Sequence, residues 1–80
     1  MDVALNDITA ILKTIRPEVD FSASQDFIGD GLLDSFDVVT LVSALDKHFG
    51  ISIQGVDIMP ENFRDLTTIE ALLRKNGAGL

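Results

Sequence analysis

Apolar side chains recur at helical spacing in two long stretches of the chain and one short one. In residues 3–16, Leu5, Ile8, Leu12 and Ile15 lie three or four positions apart and Ile11 widens the stripe, which predicts an amphipathic first helix. Asp2 is placed to cap its start, Lys13 and Arg16 sit near the negative end of its dipole, and Pro17 closes it. A second helix is predicted over residues 35–49. At about 100° per residue, Val38, Leu41, Val42, Leu45 and Phe49 share one face and form its expected core side. Phe36, Thr40, Ser43 and Lys47 fall on the opposite face, with Val39 on its flank. Asp34 is a good N-cap, Asp37 three residues on can complete a capping box, and Gly50 is a suitable stop.

Residues 17–33 show no period, although Phe21, Phe27, Ile28, Leu32 and Leu33 are apolar. A connection of this length inside a small domain tends to be functional, and it can join two nearly parallel helices where a short turn cannot. The expectation is that it lies across the bundle, held by those side chains. Ile51-Ser52-Ile53 alternates like a strand but has no second strand to pair with, so it reads as an extended connector. Pro60 can open a short helical turn through Phe63. Thr67-Thr68-Ile69-Glu70 fits a capping box for a last helix with the stripe Ile69, Leu72 and Leu73, ended by Gly77. The predicted fold is all-α: a four-helix bundle of three main helices and one short one, in a single domain spanning residues 1–80.

Composition narrows the function. With 80 residues the core is small, and with five Phe, no Trp and no Tyr it is aliphatic. The absence of Cys excludes disulfides and thiolate metal sites. Thirteen acids against six Lys and Arg give a net charge of −7, which argues against nucleic acid and for basic protein partners. No apolar stretch is long enough to span a bilayer, and Met1-Asp2-Val3 lacks the charged leader of a signal peptide. The expected location is the cytoplasm and the expected state a monomer.

Candidate chemistry then reduces to one residue. His48, the only histidine, is thirteen positions from Ser35 on the same predicted helix, or roughly 20 Å at 1.5 Å per residue. A serine nucleophile activated by histidine within one chain is therefore excluded, and no catalytic residue is expected. His48 reads instead as a cation at the end of its helix. The acids Asp26, Asp30, Asp34 and Asp37 invite a calcium loop, but Ile28 falls where an oxygen ligand is required and Asp37 stands where a bidentate Glu belongs, so no metal site is expected. What remains is Ser35. Asp34, Ser35 and Asp37 are all accounted for by ordinary helix-start chemistry, but Phe36 and Val39 then form an apolar patch on the solvent face beside the hydroxyl, as a docking surface would.

Asp26-Phe27, Leu33-Asp34-Ser35-Phe36-Asp37 and the run Leu41-Val42-Ser43-Ala44-Leu45-Asp46-Lys47-His48-Phe49-Gly50-Ile51 together resemble the acyl carrier protein family of phosphopantetheine-carrying four-helix bundles. The resemblance covers nearly the whole chain, through Thr67-Thr68-Ile69. It implies that Ser35 carries a covalent 4′-phosphopantetheine arm, installed from coenzyme A by a phosphopantetheinyl transferase, and that acyl groups ride on the arm's thiol as thioesters. It implies that Asp34 supports the modification, and that an acyl-loading ligase or transferase and downstream synthases are the further partners. Phe36, Val39, Thr40 and Ser43 are the expected recognition face. The chain departs from fatty acid synthesis carriers, which usually show several Glu along this helix; the corresponding stretch here has one acid, Asp46, and Ser43 replaces a common Met. The Asp-Ser-Phe start and Phe-Gly-Ile-Ser-Ile run are also similar to specialised stand-alone carriers, including D-alanyl carriers. The expected function is an acyl carrier of fatty acid, polyketide or related lipid biosynthesis. The alternatives are a D-alanyl or other aminoacyl carrier and, in a different class, an unmodified helical interaction module.

Overall fold

Three α-helices form where the apolar stripes run: α1 (Val3–Ile15), α2 (Ser35–Phe49) and α3 (Leu66–Lys75). They are seen in a computed structural model that describes residues 3–79; the cap expected from Asp2 lies outside the described residues. The connections carry short 3₁₀ turns at Phe21–Ala23, Gly55–Asp57 and Pro60–Phe63, the last being the short helix expected after Pro60. Among the described residues there is no strand, and Ile51-Ser52-Ile53 is an extended connector whose Ile53 is buried and Ser52 exposed.

α1 packs on both α2 and α3, and the Pro60–Phe63 turn packs on α3. Ile8 and Leu12 of α1, Leu41 and Leu45 of α2, Ile69 and Leu73 of α3, and Phe63 are fully buried at the meeting point. The core side of α2 is narrower than its stripe suggests: Val38, Leu41 and Leu45 are buried, whereas Val42 and Phe49 are only half-buried at its margin. Phe49 lies edge-on to the His48 ring, with centroids 4.8 Å apart. A helix this size has partners on one side only, so the ends of a five-residue stripe reach the boundary with water.

The long connection behaves as its apolar residues imply. Phe21, Phe27 and Leu33 are buried and Ile28 and Leu32 half-buried, and the Phe21 and Phe27 rings meet edge-to-face at 5.1 Å. The Phe27 amide donates to the Arg64 carbonyl (2.7 Å), while the amides of Leu32 and Leu33 both donate back to the Phe27 carbonyl (2.8 and 3.1 Å). Phe27 thereby pins the connection to the far side of the bundle, and the chain turns at Gly31, in the left-handed region at φ 76°.

One cap differs from expectation. The box that opens α3 is Asp65 with Thr68, not Thr67 with Glu70: the Thr68 amide donates to Asp65 Oδ1 (2.8 Å) and the Asp65 amide to Thr68 Oγ1 (3.1 Å). Asp is as good an N-cap as Ser or better than Thr, and starting the helix two residues earlier lets half-buried Leu66 join its apolar face.

Candidate functional site

The long connection and α2 meet at Asp34, and the chemistry of that junction sets the site. Asp34 is extended and caps α2: the Asp37 amide donates to Asp34 Oδ1 (2.9 Å) and the Asp34 amide to Asp37 Oδ2 (3.1 Å), completing the expected capping box. Ser35 is the first residue of the helix and is exposed. The amides of Ser35 and Phe36 have no acceptor among the described residues, so two N–H groups at the positive end of the helix face outward beside the hydroxyl.

Beside Ser35 runs an open groove of about 290 Å³. Asp34 and Ser35 form its polar rim, and Ile28, Val38, Val39, Ile58, Met59 and Pro60 make the rest of its lining apolar. Phe36 (83% exposed) and Val39 (66%) project into solvent from α2, while Val56, Ile58 and Met59 are exposed on the connection that faces them across the groove or borders it. Thr40 and Ser43 are exposed on the same helix, so the structure brings all four expected recognition residues to one surface with Ser35. The Thr40 hydroxyl donates to the Phe36 carbonyl (3.1 Å), so its polar group is already engaged within the helix.

Arg16 is the residue that sequence reasoning assigned to a different role. Placed just past the end of α1, it reaches across to the start of α2 rather than back to its own helix terminus. Nη2 lies 2.7 Å from Asp37 Oδ2 and 3.4 Å from Asp34 Oδ2, Nε donates to Asp37 Oδ2 at 2.9 Å, and Nη1 lies 3.6 Å from Glu18. The Arg16 hydrogen bond, reinforced by the Asp34 amide, holds the Asp37 carboxyl below the usual carboxylate range against the cost of its desolvation. The only sequence signal for this was the long basic-free stretch that follows Arg16, since no Lys, Arg or His occurs between it and Lys47.

The other candidates stay apart from this junction. His48 pairs with Asp7 of α1 at 3.5 Å, joining the opposite ends of α1 and α2. Asp26 accepts from the Gly29 amide (2.9 Å) and Asp30 from the Ser24 hydroxyl (2.7 Å), each shaping its own turn. Among the described residues no three His, Asp or Glu side chains converge as a metal site would require.

The site is thus an exposed serine at the start of a helix, next to an apolar groove. The chain belongs to the phosphopantetheine attachment site (PP-binding) family, whose model matches residues 5–75. Its cofactor is accordingly 4′-phosphopantetheine, attached covalently. Carrier domains of this family hold substrates rather than transform them, and they interact with phosphopantetheinyl transferases and with biosynthetic enzymes. Comparison with curated proteins and with solved structures gave no match. No helix among the described residues is long and apolar enough to cross a membrane.

Proposed function

We propose that residues 1–80 form one carrier domain in which Ser35 bears the 4′-phosphopantetheine arm and which shuttles acyl groups between enzymes of fatty acid, polyketide or related lipid biosynthesis. The observation that carries this reading is the placement of Ser35: an exposed hydroxyl on the first turn of α2, beside two outward-facing amides and the apolar groove. The site fits the group at both ends. A phosphodiester on Ser35 meets the unpaired N–H groups of Ser35 and Phe36 and the positive end of the helix dipole, a gain of about 0.3–1 kcal/mol at an exposed position. The groove wall of Ile28, Val38, Ile58 and Met59 offers apolar surface to what is attached. When bound, the arm supplies a thiol that carries acyl groups as thioesters.

The chain's own residues bind and present. Asp34 and Asp37 fix the turn that holds Ser35, and Asp34, exposed on the rim, is the contact offered to the transferase. Phe36, Val39, Thr40 and Ser43 form the face that partners read, and Phe36 is the side chain that inserts. In this reading the domain is a substrate of its partners: His48, which pairs with Asp7, is not the base for Ser35, and the transferase acts on the hydroxyl. Its place of action is the cytoplasm, as a monomer.

The exposed face of α2 bears Phe36, Val39, Thr40, Ser43 and Lys47 and no acid, which favours partners other than those of an acid-rich helix and keeps a D-alanyl or aminoacyl cargo as the second reading. Incubation with coenzyme A and a broad-specificity phosphopantetheinyl transferase tests the attachment. Offering the modified protein to fatty acyl and D-alanine ligases then tests the cargo: loading by the first and not the second is expected, and the reverse selects the second reading.

A further inference from the structure

Arg16 is the last basic residue before Lys47, and seven acids, Glu18, Asp20, Asp26, Asp30, Asp34, Asp37 and Asp46, lie between them. The fold returns this one guanidinium to the two carboxylates that flank Ser35, at 2.7 Å from Asp37 and 3.4 Å from Asp34. The Asp37 side chain is only 13% exposed, and that of Arg16 36%. The serine therefore sits on a turn whose two acids share one cation, and that cation comes from just past the end of α1. A planar, always-charged fork suits such bridging better than a flexible ammonium.

We propose that Arg16 is a positioning residue for the modification of Ser35: it ties the serine-bearing turn to the end of α1 through Asp37 and Asp34 and offsets the negative charge beside the hydroxyl. This rests on Ser35 being the attachment point. In the modification, Ser35 Oγ bonds to the phosphorus that bears the pantetheine as the bond from that phosphorus to the bridging diphosphate oxygen breaks. The hydroxyl proton passes to a base of the transferase or to water, and adenosine 3′,5′-bisphosphate leaves. Negative charge is spread over the phosphoryl oxygens in the transition state, so two uncompensated carboxylates on the serine-bearing turn oppose the step itself. A loosened turn also moves Oγ away from its line of attack. Both effects act on the transition state, so they fall on the maximal rate more than on docking through Asp34.

Single-turnover modification, followed by intact mass with a phosphopantetheinyl transferase in excess, separates maximal rate from half-saturating transferase concentration. Arg16→Gln is expected to lower the maximal rate by ~10-fold, a fraction of the ~100-fold that a 1 Å misplacement can cost, and to change half-saturation by less than ~2-fold. Arg16→Lys, which keeps the charge but not the fork, is expected to recover the rate to within ~3-fold of wild type. The backbone amide resonances of Ser35 and Asp37 are expected to shift in Arg16→Gln and to return toward wild type in Arg16→Lys. A maximal rate for Arg16→Gln within twofold of wild type, a loss confined to half-saturation, or a Lys variant no better than the Gln variant overturns the inference. Should Arg16→Gln fail to fold by circular dichroism, the charge-matched Arg16→Gln/Asp37→Asn chain replaces it; a rate within ~3-fold of wild type is then expected, and a ~10-fold loss overturns the charge-offset role. Wild-type protein that takes up no phosphopantetheine sinks the attachment reading itself, an outcome distinct from a modified wild type with an unaffected Arg16→Gln.

Discussion

Lys75 Nζ lies 2.7 Å from Oδ1 of Asp57, whose side chain is 7% exposed, and so ties the last turn of α3 to the Gly55–Asp57 turn beside the groove. The same stretch is held twice more: the Gln54 amide donates to Asn76 Oδ1 (3.1 Å), and Asn62 Nδ2 donates to the Asp57 carbonyl (2.7 Å). Ile58, Met59 and Pro60 of the groove wall follow directly. Removing Lys75 strands a buried carboxylate, but the ammonium is 67% exposed, which reduces the loss through solvent screening. Lys75→Gln is expected to lower unfolding stability by about 1 kcal/mol, and adding Asp57→Asn to recover part of it. Urea unfolding of the two single variants and the double variant measures the coupling; a coupling near zero contradicts the clasp.

The pair between Arg16 and Asp37 predicts acid sensitivity. The Asp37 carboxyl is held below its ordinary range in the folded state, first by the Arg16 hydrogen bond. Its contribution to stability is therefore fully present above about pH 4 and is lost as pH falls through the depressed folded value. Thermal melts should show a steeper decline below about pH 4 in wild type than in Asp37→Asn. At neutral pH, Asp37→Asn should melt a few degrees lower, as expected for about 1 kcal/mol in a domain of this size. Parallel acid limbs would show that the pair does not contribute.

Phe36, 83% exposed, packs on nothing that folding needs. Phe36→Ala is expected to change stability by less than about 0.5 kcal/mol while reducing use by acyl-loading partners severalfold. Comparing melting temperature with loading rate for the same variant decides the point. An equal loss in both would make the ring part of the core.

Phe63 represents the opposite extreme, fully buried between the short turn and α3. Phe63→Ala should cost about 3–5 kcal/mol, most of the stability available to an 80-residue domain. Circular dichroism at 25 °C would then show a largely unfolded population, and a cooperative melt close to wild type would contradict the packing described.

The three helices and the Asp34–Asp37 box were legible in the sequence because both are local: a stripe repeats every three or four residues, and a cap spans four. The exposure of Phe36 and Val39 followed from the same phasing. The α3 cap was misplaced because two box-like patterns overlap at Asp65–Thr68 and Thr67–Glu70, and only packing of Leu66 decides between them. The groove was out of reach, since Ile28, Val38 and Met59 become neighbours only through tertiary structure. For the same reason Arg16 read as a helix-end cation: its partners are eighteen and twenty-one residues away.

The central claim, that Ser35 is the point of attachment, is tested most directly by intact mass after treatment with coenzyme A and a phosphopantetheinyl transferase. Wild-type protein is expected to gain the mass of one phosphopantetheine and Ser35→Ala none, with both chains equally folded. A wild type that stays unmodified, or a Ser35→Ala chain that still gains the group, would contradict it.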